Sequence, residues 1–260
     1  MSNGNIFYET DSIVAIITYK TSNSKTGDEY QTWFIDKNNP PTIAIDTGTD
    51  SLICGDCKHR GRVVSLSMAE LIAETLPTPK KKALLKRIAD KKSKGLTSIN
   101  IDRKCYVKVF QAPLSVYKTY KNNGYEKITI KQLSKKMKYK TIRIGSYGEG
   151  TLVSIEDWKQ ILKNSIGHTG YTHQWHNPLM NEFKSILMAS VDTEEEKRQA
   201  NELGFRTFRT RKENEPLLSD EISCLSDKKY RKDKPLIPCV DCLLCCGNSR
   251  KKKNISVIVH

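Results

Sequence analysis

The sequence has no long hydrophobic run. No stretch approaches the roughly 20 consecutive apolar residues of a membrane-spanning helix, and the first residues, Met1-Ser-Asn-Gly, lack the character of a signal peptide. We therefore expect a soluble, cytoplasmic protein without a membrane partner.

Several signatures of common enzymes are also missing. The chain contains no phosphate-binding P-loop, no dinucleotide-binding glycine fingerprint and no nucleophile elbow. Its histidines form no His-x-His pair, so the metal-dependent nicking chemistry of rolling-circle initiators has little support. No internal repeat of solenoid period occurs. These absences exclude repeat architectures and leave no familiar motif from which to name a reaction.

Acidic residues are scarce relative to basic ones. The chain has 44 Lys and Arg residues against 29 Asp and Glu residues, which gives a formal net charge of +15 at pH 7. Much of this charge lies in the segment that holds Lys80, Lys81, Lys82, Lys86 and Arg87. Excess positive charge attracts polyanions, of which nucleic acid is the commonest in a cytosol. We predict nucleic-acid contact at these residues; the alternative is a lysine-rich surface that only keeps the protein soluble.

Cysteine, by contrast, is frequent and clustered. Eight cysteines occur, and in a reducing compartment such clusters indicate metal ligands before disulfides. Cys54 and Cys57 have a spacing at which both thiolates can bind one ion, and Cys105 can close the site from far downstream. With His59 the site would be a closed zinc tetrahedron. Without His59, the three thiolates leave one open position at which a substrate could bind.

The second group of cysteines lies near the C-terminal end of the sequence. Cys239, Cys242 and Cys245 follow one another with two residues between them, and Cys224 lies upstream. Four thiolates suffice for either a structural zinc ion or an iron–sulfur cluster, and the spacing does not separate these two cofactors. Cys246 is left over. Buried free cysteines at accidental spacing are the alternative to a metal site.

The order of apolar segments predicts alternating strands and helices. A strand is expected at 30–35, and eight others at 12–19, 106–110, 140–145, 169–174, 186–191, 205–209, 221–224 and 255–259. Helices are expected at 66–94, 113–120, 154–163, 179–184 and 193–203.

Repeated strand–helix alternation implies parallel strands with helices outside them. The predicted fold class is therefore α/β, with an irregular (β/α) barrel-like parallel sheet as the first choice and an open doubly wound sheet as the second. We treat residues 1–260 as one barrel-like domain. Within it, 65–103 is expected to be an inserted basic helical excursion and 224–250 a cysteine-rich metal-binding segment.

Polar and aromatic residues gather where predicted strands end. Function in parallel α/β folds belongs at the carboxyl ends of the strands. Glu149, His173 and Arg209 are therefore the candidate catalytic residues: an acid, a titratable base and a partner for an anion. Tyr147 and Trp175 are expected to be stacking rings near them. The alternative for His173 is a hydrogen-bonded histidine of the core.

Several segments occur in an order that resembles a known family. They are Thr21–Gly27 with Gln31-Thr32, Cys54-Gly-Asp-Cys-x-His-Arg-Gly61, Cys105-Tyr-Val-x-Val-Phe-Gln-Ala-Pro113, Arg143-Ile-Gly-Ser-Tyr-Gly148, Thr169-Gly-Tyr-Thr-His-Gln-Trp175, Met188-Ala-Ser-Val-Asp192, Phe205-Arg-Thr-Phe-Arg209 and the terminal cysteine group. Together they resemble an uncharacterised family of phage and mobile-element proteins, over nearly the whole chain. The resemblance implies a phage-like origin, hence the cytoplasm of an infected bacterium, and one compact domain, but no activity. The basic segment 65–103 departs from the family, which usually has a short loop there.

A more distant similarity is to the plan of radical-SAM enzymes, in which cysteine ligands follow an early strand of a partial (β/α) barrel. It implies S-adenosylmethionine as a cofactor, although the Cys-x3-Cys-x2-Cys loop of those enzymes is absent here. Two hypotheses follow. In the first, Cys54, Cys57 and Cys105 hold the working metal of an enzyme with a nucleic-acid-related role. In the second, two structural zinc ions stabilise a basic surface that binds nucleic acid or a host protein without catalysis.

Overall fold

The computed structural model describes residues 3–20, 26–227, 235–248 and 253–259. The chain divides into two compact units, the first made of Met1–Thr10, Val14–Phe34 and Asn123–His260 and the second of Asp11–Ile13 and Ile35–Asn122. The segment predicted to be a basic excursion, 65–103, lies entirely within the second unit. No helix in these described ranges has the length and apolar character needed to cross a membrane.

Twelve strands occur in the described residues: β1 (Gly4–Glu9), β2 (Ile13–Thr18), β3 (Tyr30–Asp36), β4 (Arg62–Ser65), β5 (Ser98–Ile101), β6 (Glu126–Lys127), β7 (Thr141–Tyr147), β8 (Gly167–Thr172), β9 (Met188–Val191), β10 (Thr207–Arg211), β11 (Glu221–Ser223) and β12 (Asn254–Ile258). Ten of them form one sheet in the order β11-β12-β10-β9-β8-β7-β3-β2-β1-β6, while β4 and β5 form an antiparallel pair. Every pairing from β3 to β11 along this order is parallel. The predicted α/β class is confirmed. Barrel closure is not observed, because no pairing among the described residues joins the edge strands β11 and β6.

Nine α-helices occur in the same residues: α1 (Pro41–Thr47), α2 (Ser51–Cys54), α3 (Leu66–Glu74), α4 (Thr78–Ser93), α5 (Ala112–Lys121), α6 (Ile130–Lys136), α7 (Ile155–Leu162), α8 (Glu194–Glu202) and α9 (Cys239–Cys242). Short 3-10 helices cover Lys58–Arg60, Gly150–Leu152 and Pro178–Ser185. Four of these nine helices begin at a side chain that caps them, as at Ser154, whose hydroxyl accepts from Asp157 N, and at Thr193, whose hydroxyl accepts from Glu196 N.

One predicted strand is wrong. Residues 106–110 form no strand; they run without regular structure into a turn that Gln111 N closes on Lys108 O at 3.0 Å. The alternation of residue types there is typical of a strand, but a strand also needs a neighbour to satisfy its main-chain groups, and β5 pairs with β4 instead.

The two faces of the large sheet are covered differently. On one face, Ala189 and Val191 of β9 pack against Ala200 of α8 in a buried cluster. On the other face, the rings of Tyr171 and Phe208 contact each other with centroids 4.5 Å apart, and both are partly buried. The cysteine-rich C-terminal segment, rather than a long helix, packs on this second face.

The second unit is organised around the pair β4–β5 and the helices α3 and α4. Apolar residues of α3, α4 and β5 form its core, and Val64 of β4 packs against them; the core residues are Leu66, Ala69, Ala73, Leu84, Ile88, Ile99 and Ile101. The carboxylate of buried Asp46 ties β5 to α4, because it accepts a hydrogen bond from Asn100 N at 3.0 Å and pairs with Lys91 Nζ at 2.6 Å. The basic segment is therefore a packed part of its unit.

Candidate functional site: two cysteine groups and the strand ends around them

Two of the C-terminal cysteines, Cys245 and Cys224, pack on the face of the sheet that carries Tyr171 and Phe208. Cys245 is buried in a cluster with apolar residues of β9 and β12, and Cys224 packs against the same cluster. The main chain fixes both positions: Gly170 N donates to Cys245 O at 2.9 Å, and Cys224 N donates to Ser256 O at 2.8 Å. The two cysteines are thus attached to β8 and β12, strands of the same sheet.

The four thiols predicted as one site lie close enough to interact electrostatically. Burial raises the pKa of the Cys245 thiol well above its ordinary value, and the negative charges of Cys224, Cys239 and Cys242 raise it further. A hydrogen bond from Tyr171 acts in the opposite direction. Thiolates that oppose one another's ionisation in this way are the groups that a metal cation would hold in the charged form.

The four thiols interact, but their sulfur atoms are not arranged as the ligands of one metal ion. Across the described ranges, no group of three or more His, Cys, Asp or Glu side chains has the geometry to hold a metal ion. No disulfide joins any of the eight cysteines. Metal binding and local folding are commonly coupled, and a shared ion would have to draw these sulfur atoms closer together.

An arginine that sequence reasoning did not assign holds the cysteine loop. Arg206 donates to the carbonyl oxygens of Leu244 at 3.0 Å and of Gly247 at 2.7 Å from Nη1, and to that of Lys253 at 2.5 Å from Nη2. Gly247 has φ +59°, and a Cβ there would lie 2.6 Å from the carbonyl carbon of Ile186. The hydrogen bonds of Arg206 and the close packing at Gly247 therefore fix the backbone that follows Cys245 and Cys246.

The structure also brings the first cysteine group together along the main chain. Cys57 N donates to Cys54 O at 3.2 Å, which closes a tight turn, and Cys105 N donates to His59 O at 3.0 Å. All three cysteines are partly exposed. Cys105, the candidate ligand that is distant in sequence, thus lies beside the turn that carries Cys54 and Cys57.

Arg60 supplies a positive charge at this turn. Its guanidinium donates to Asp50 Oδ1 at 2.7 Å and to the carbonyl oxygens of Gly48 and Gly55, both at 3.0 Å. It also interacts electrostatically with the thiols of Cys54 and Cys57. A fixed cation beside several thiolates offsets the excess negative charge that they would carry around a divalent ion.

Glu149 and His173 contact each other just after β7 and β8. Glu149 Oε1 accepts from His173 N at 3.0 Å and lies 3.2 Å from the ring Nδ1. Glu149 is buried, and its Oε2 has no hydrogen-bond partner among the described residues. The side chain of His173 is a quarter exposed, so a carboxylate-held imidazole faces solvent at the carboxyl ends of two parallel strands.

Arg209 is placed differently from the other two candidate catalytic residues. It pairs in register with Val191, whose side chain packs against α8, so Arg209 belongs to the helix-covered face. Its Nε and Nη2 atoms lie 2.7 and 2.8 Å from the two oxygens of Glu221, and both side chains are almost fully buried. The guanidinium is occupied by a structural ion pair at this position.

A buried carboxyl group that the sequence does not mark, that of Glu29, is hydrogen-bonded to β8. Glu29 is fully buried; its Oε1 accepts from the Thr169 hydroxyl at 2.8 Å, and its Oε2 has no hydrogen-bond partner in the described ranges. Burial raises the pKa of Glu29 to about 7, although the Thr169 hydrogen bond and the charge of Arg143 lower it. Arg143 also lies over the ring of Tyr171, at 5.3 Å. No sequence pattern marked Glu29, because it precedes β3 in a turn-rich stretch.

The predicted nucleic-acid-binding residues all lie on α4. Lys81 pairs with Glu74, and Arg87 Nη2 donates to Asn100 O at 2.6 Å, so these two are engaged within the unit. The remaining three, Lys80, Lys82 and Lys86, are exposed, and no acidic partner lies within ion-pair distance in the described part of the chain.

Comparison with known proteins identifies no relative. No protein-family model, no curated protein and no solved structure matches the chain. The resemblances to the phage family and to radical-SAM enzymes therefore rest on the sequence motifs alone.

Proposed function

We propose that this protein is a cysteine-ligated metalloprotein that binds nucleic acid. Cys224, Cys239, Cys242 and Cys245 would hold one zinc ion or iron–sulfur cluster, and Cys54, Cys57 and Cys105 would hold a second. The observation that carries the proposal is that Cys224 and Cys245 pack in one cluster on the sheet, while Cys239 and Cys242 lie near enough to Cys245 to interact with it electrostatically. A reducing cytosol would leave such thiols available for metal.

The two cysteine groups suit different ligand sets. Four thiolates at the C-terminal group would close a tetrahedral site, which is a structural arrangement. At the first group, three thiolates leave a fourth position for His59 or for another ligand, and Arg60 would offset the negative charge. A colourless protein that contains zinc would favour the non-catalytic hypothesis, whereas a brown one with absorbance near about 400 nm would favour clusters.

Replacing single cysteines tests the C-terminal site. Cys242→Ser removes one proposed ligand and should lower the metal content per chain, whereas Cys246→Ser changes the neighbouring thiol outside the proposed set and should leave it unchanged. Equal metal content in the two variants and the unaltered protein would contradict the assignment.

The nucleic-acid part of the proposal is supported by α4. Lys82 and Lys86 lie one helical turn apart and are exposed, and neither has an acidic partner among the described residues. Free cations in this arrangement attract phosphates by releasing counterions, so binding should weaken as salt rises.

Charge reversal tests this surface. The double variant Lys82→Glu, Lys86→Glu should weaken binding and reduce the slope of log affinity against log salt by roughly 1 to 2. Lys131→Glu, Lys135→Glu is the matched control, since it makes the same charge change on another exposed helix, α6. Binding that does not respond to salt, or that falls equally in both double variants, would contradict the proposed surface.

A second candidate function is an enzyme of radical-SAM-like plan acting in a phage-infected bacterial cytoplasm. It is favoured by the Glu149–His173 contact at the carboxyl ends of β7 and β8, where parallel α/β folds place their chemistry. The open, mostly parallel sheet is compatible with a partial (β/α) barrel. Protein purified without air, then reduced and mixed with S-adenosylmethionine, should consume it if this candidate is correct; unchanged S-adenosylmethionine would contradict it.

A further inference from the structure

Residues 104–110 of the second unit alternate in exposure. Lys104, Tyr106, Lys108 and Phe110 are exposed, whereas Cys105 and Val107 are partly buried and Val109 is buried. The backbone has no regular structure up to Lys108, and Val109 and Phe110 lie in the turn that Gln111 N closes on Lys108 O. The exposed side chains of the stretch are therefore two lysines and two aromatic rings in alternation.

The inward side of this stretch is attached to its unit. Cys105 N donates to His59 O at 3.0 Å, Leu114 N donates to Val109 O at 3.1 Å, and Arg103 Nη1 donates to Cys105 O at 2.9 Å. The outward side chains are thus presented by a backbone that is fixed at several points.

The exposure of the two rings is unusual for residues of this size. Tyr106 is 73% exposed and Phe110 is 63% exposed, although large aromatic side chains are the ones that gain most from burial. The lysines that alternate with the rings disfavour an apolar protein partner, because their charges would have to be desolvated. A polyanion with flat apolar faces fits both residue types.

We propose that 104–110 is a binding site for single-stranded nucleic acid. The proposal rests on the nucleic-acid role above and narrows it to single strands. Tyr106 and Phe110 would stack on unpaired bases, and Lys104 and Lys108 would contact phosphates of the same strand. A duplex keeps its base faces inside the helix, so this combination of rings and lysines favours an unpaired strand. The exposed lysines of α4, which belongs to the same unit, would add attraction that does not depend on base pairing.

Replacing the rings by leucine separates stacking from general apolar contact. The variant Tyr106→Leu, Phe110→Leu keeps the charge and much of the apolar surface but removes both flat rings. Affinity for a fluorescent oligothymidylate should fall by roughly tenfold or more, in line with the usual contribution of base–aromatic stacking. Affinity for a hairpin duplex of matched charge should be unchanged.

Tyr139→Leu is the matched control, because Tyr139 is equally exposed, at 72%, and belongs to the first unit. It should leave oligothymidylate binding unchanged, and circular dichroism should show that all variants are folded. If the unaltered protein binds nucleic acid but the ring variant binds oligothymidylate as tightly, the stacking site is refuted and the nucleic-acid role stands. If the unaltered protein binds neither probe at low salt, both proposals fail.

Discussion

Glu149 Oε1 accepts from His173 twice, from the main-chain N at 3.0 Å and from the ring Nδ1 at 3.2 Å. One carboxylate oxygen therefore fixes both the backbone after β8 and the orientation of the imidazole. Sequence reasoning selected both residues because they follow parallel strands, and the structure gives the reason for their proximity.

Removing that oxygen should loosen the end of β8. Glu149→Ala leaves His173 without its acceptor and should lower the free energy of unfolding by about 1–3 kcal/mol. Glu149→Gln keeps an oxygen at the same position and should lower the free energy of unfolding by less than Glu149→Ala does. Urea unfolding of the two variants measures the difference. Equal stabilities would show that the hydrogen bonds contribute nothing.

The ion pair of Arg209 and Glu221 should be essential to stability. Arg209→Met leaves the buried carboxylate of Glu221 without its partner and should lower the free energy of unfolding by about 3–5 kcal/mol. Adding Glu221→Leu removes the unpaired charge, so the double variant should be more stable than the single one. Denaturant unfolding of the three proteins checks this order. A single variant as stable as the unaltered protein would return Arg209 to the list of residues free to bind substrate.

Glu29 should make the protein less stable as pH rises. Its pKa is raised to about 7 in the folded state, above the ordinary value of 4.5, so the folded state binds more protons than the unfolded state between these two values. Stability therefore falls as pH rises through this window, by about 3 kcal/mol at most.

The variant Glu29→Gln should flatten this part of the pH profile. Unfolding midpoints in urea at several pH values measure it, with Glu213→Gln, an exposed glutamate, as the control. The prediction fails if the profile of Glu29→Gln runs parallel to that of the unaltered protein.

Metal removal should weaken the single-strand site as well as the fold. Cys105 lies between Lys104 and Tyr106, so an ion shared with Cys54 and Cys57 would anchor the stretch that carries the exposed rings. A strong chelator should lower the melting temperature by about 10 °C, which corresponds to about 3 kcal/mol in a chain of this size. Affinity for oligothymidylate should fall in parallel, and added metal should restore both. Unchanged melting and binding after chelation would argue against an anchoring metal.

The sequence predicts the parallel part of the sheet well, because its strands are compact apolar runs separated by marked helices. The helix α8, for example, combines an N-capping Thr193 with acidic residues in its first turn, and the structure has it at Glu194–Glu202. Elements without such marks were missed. The strand β1 has a shift in its pairing register between Ile6 and Tyr8, and the helix α1 begins at a proline pair that is typical of a break in regular structure.

The candidate functional residues also divide into those that local sequence spacing marks and those that only tertiary packing brings together. Cysteine spacing identifies the thiols, since ligand geometry is local for Cys54 and Cys57 and for Cys239 and Cys242. Arg209 was predicted to bind an anion, but its partner Glu221 depends on tertiary packing that the sequence pattern does not show. Glu29 is buried only because distant strands meet around it, so no local signal marks it.

Elemental analysis of the full-length protein, purified without air, tests the central claim most directly. If the thiols of Cys224, Cys239, Cys242 and Cys245 share one ion or cluster and the first cysteine group holds another, folded protein will contain zinc or iron in at least stoichiometric amount. Folded, monodisperse protein with neither metal would contradict the account.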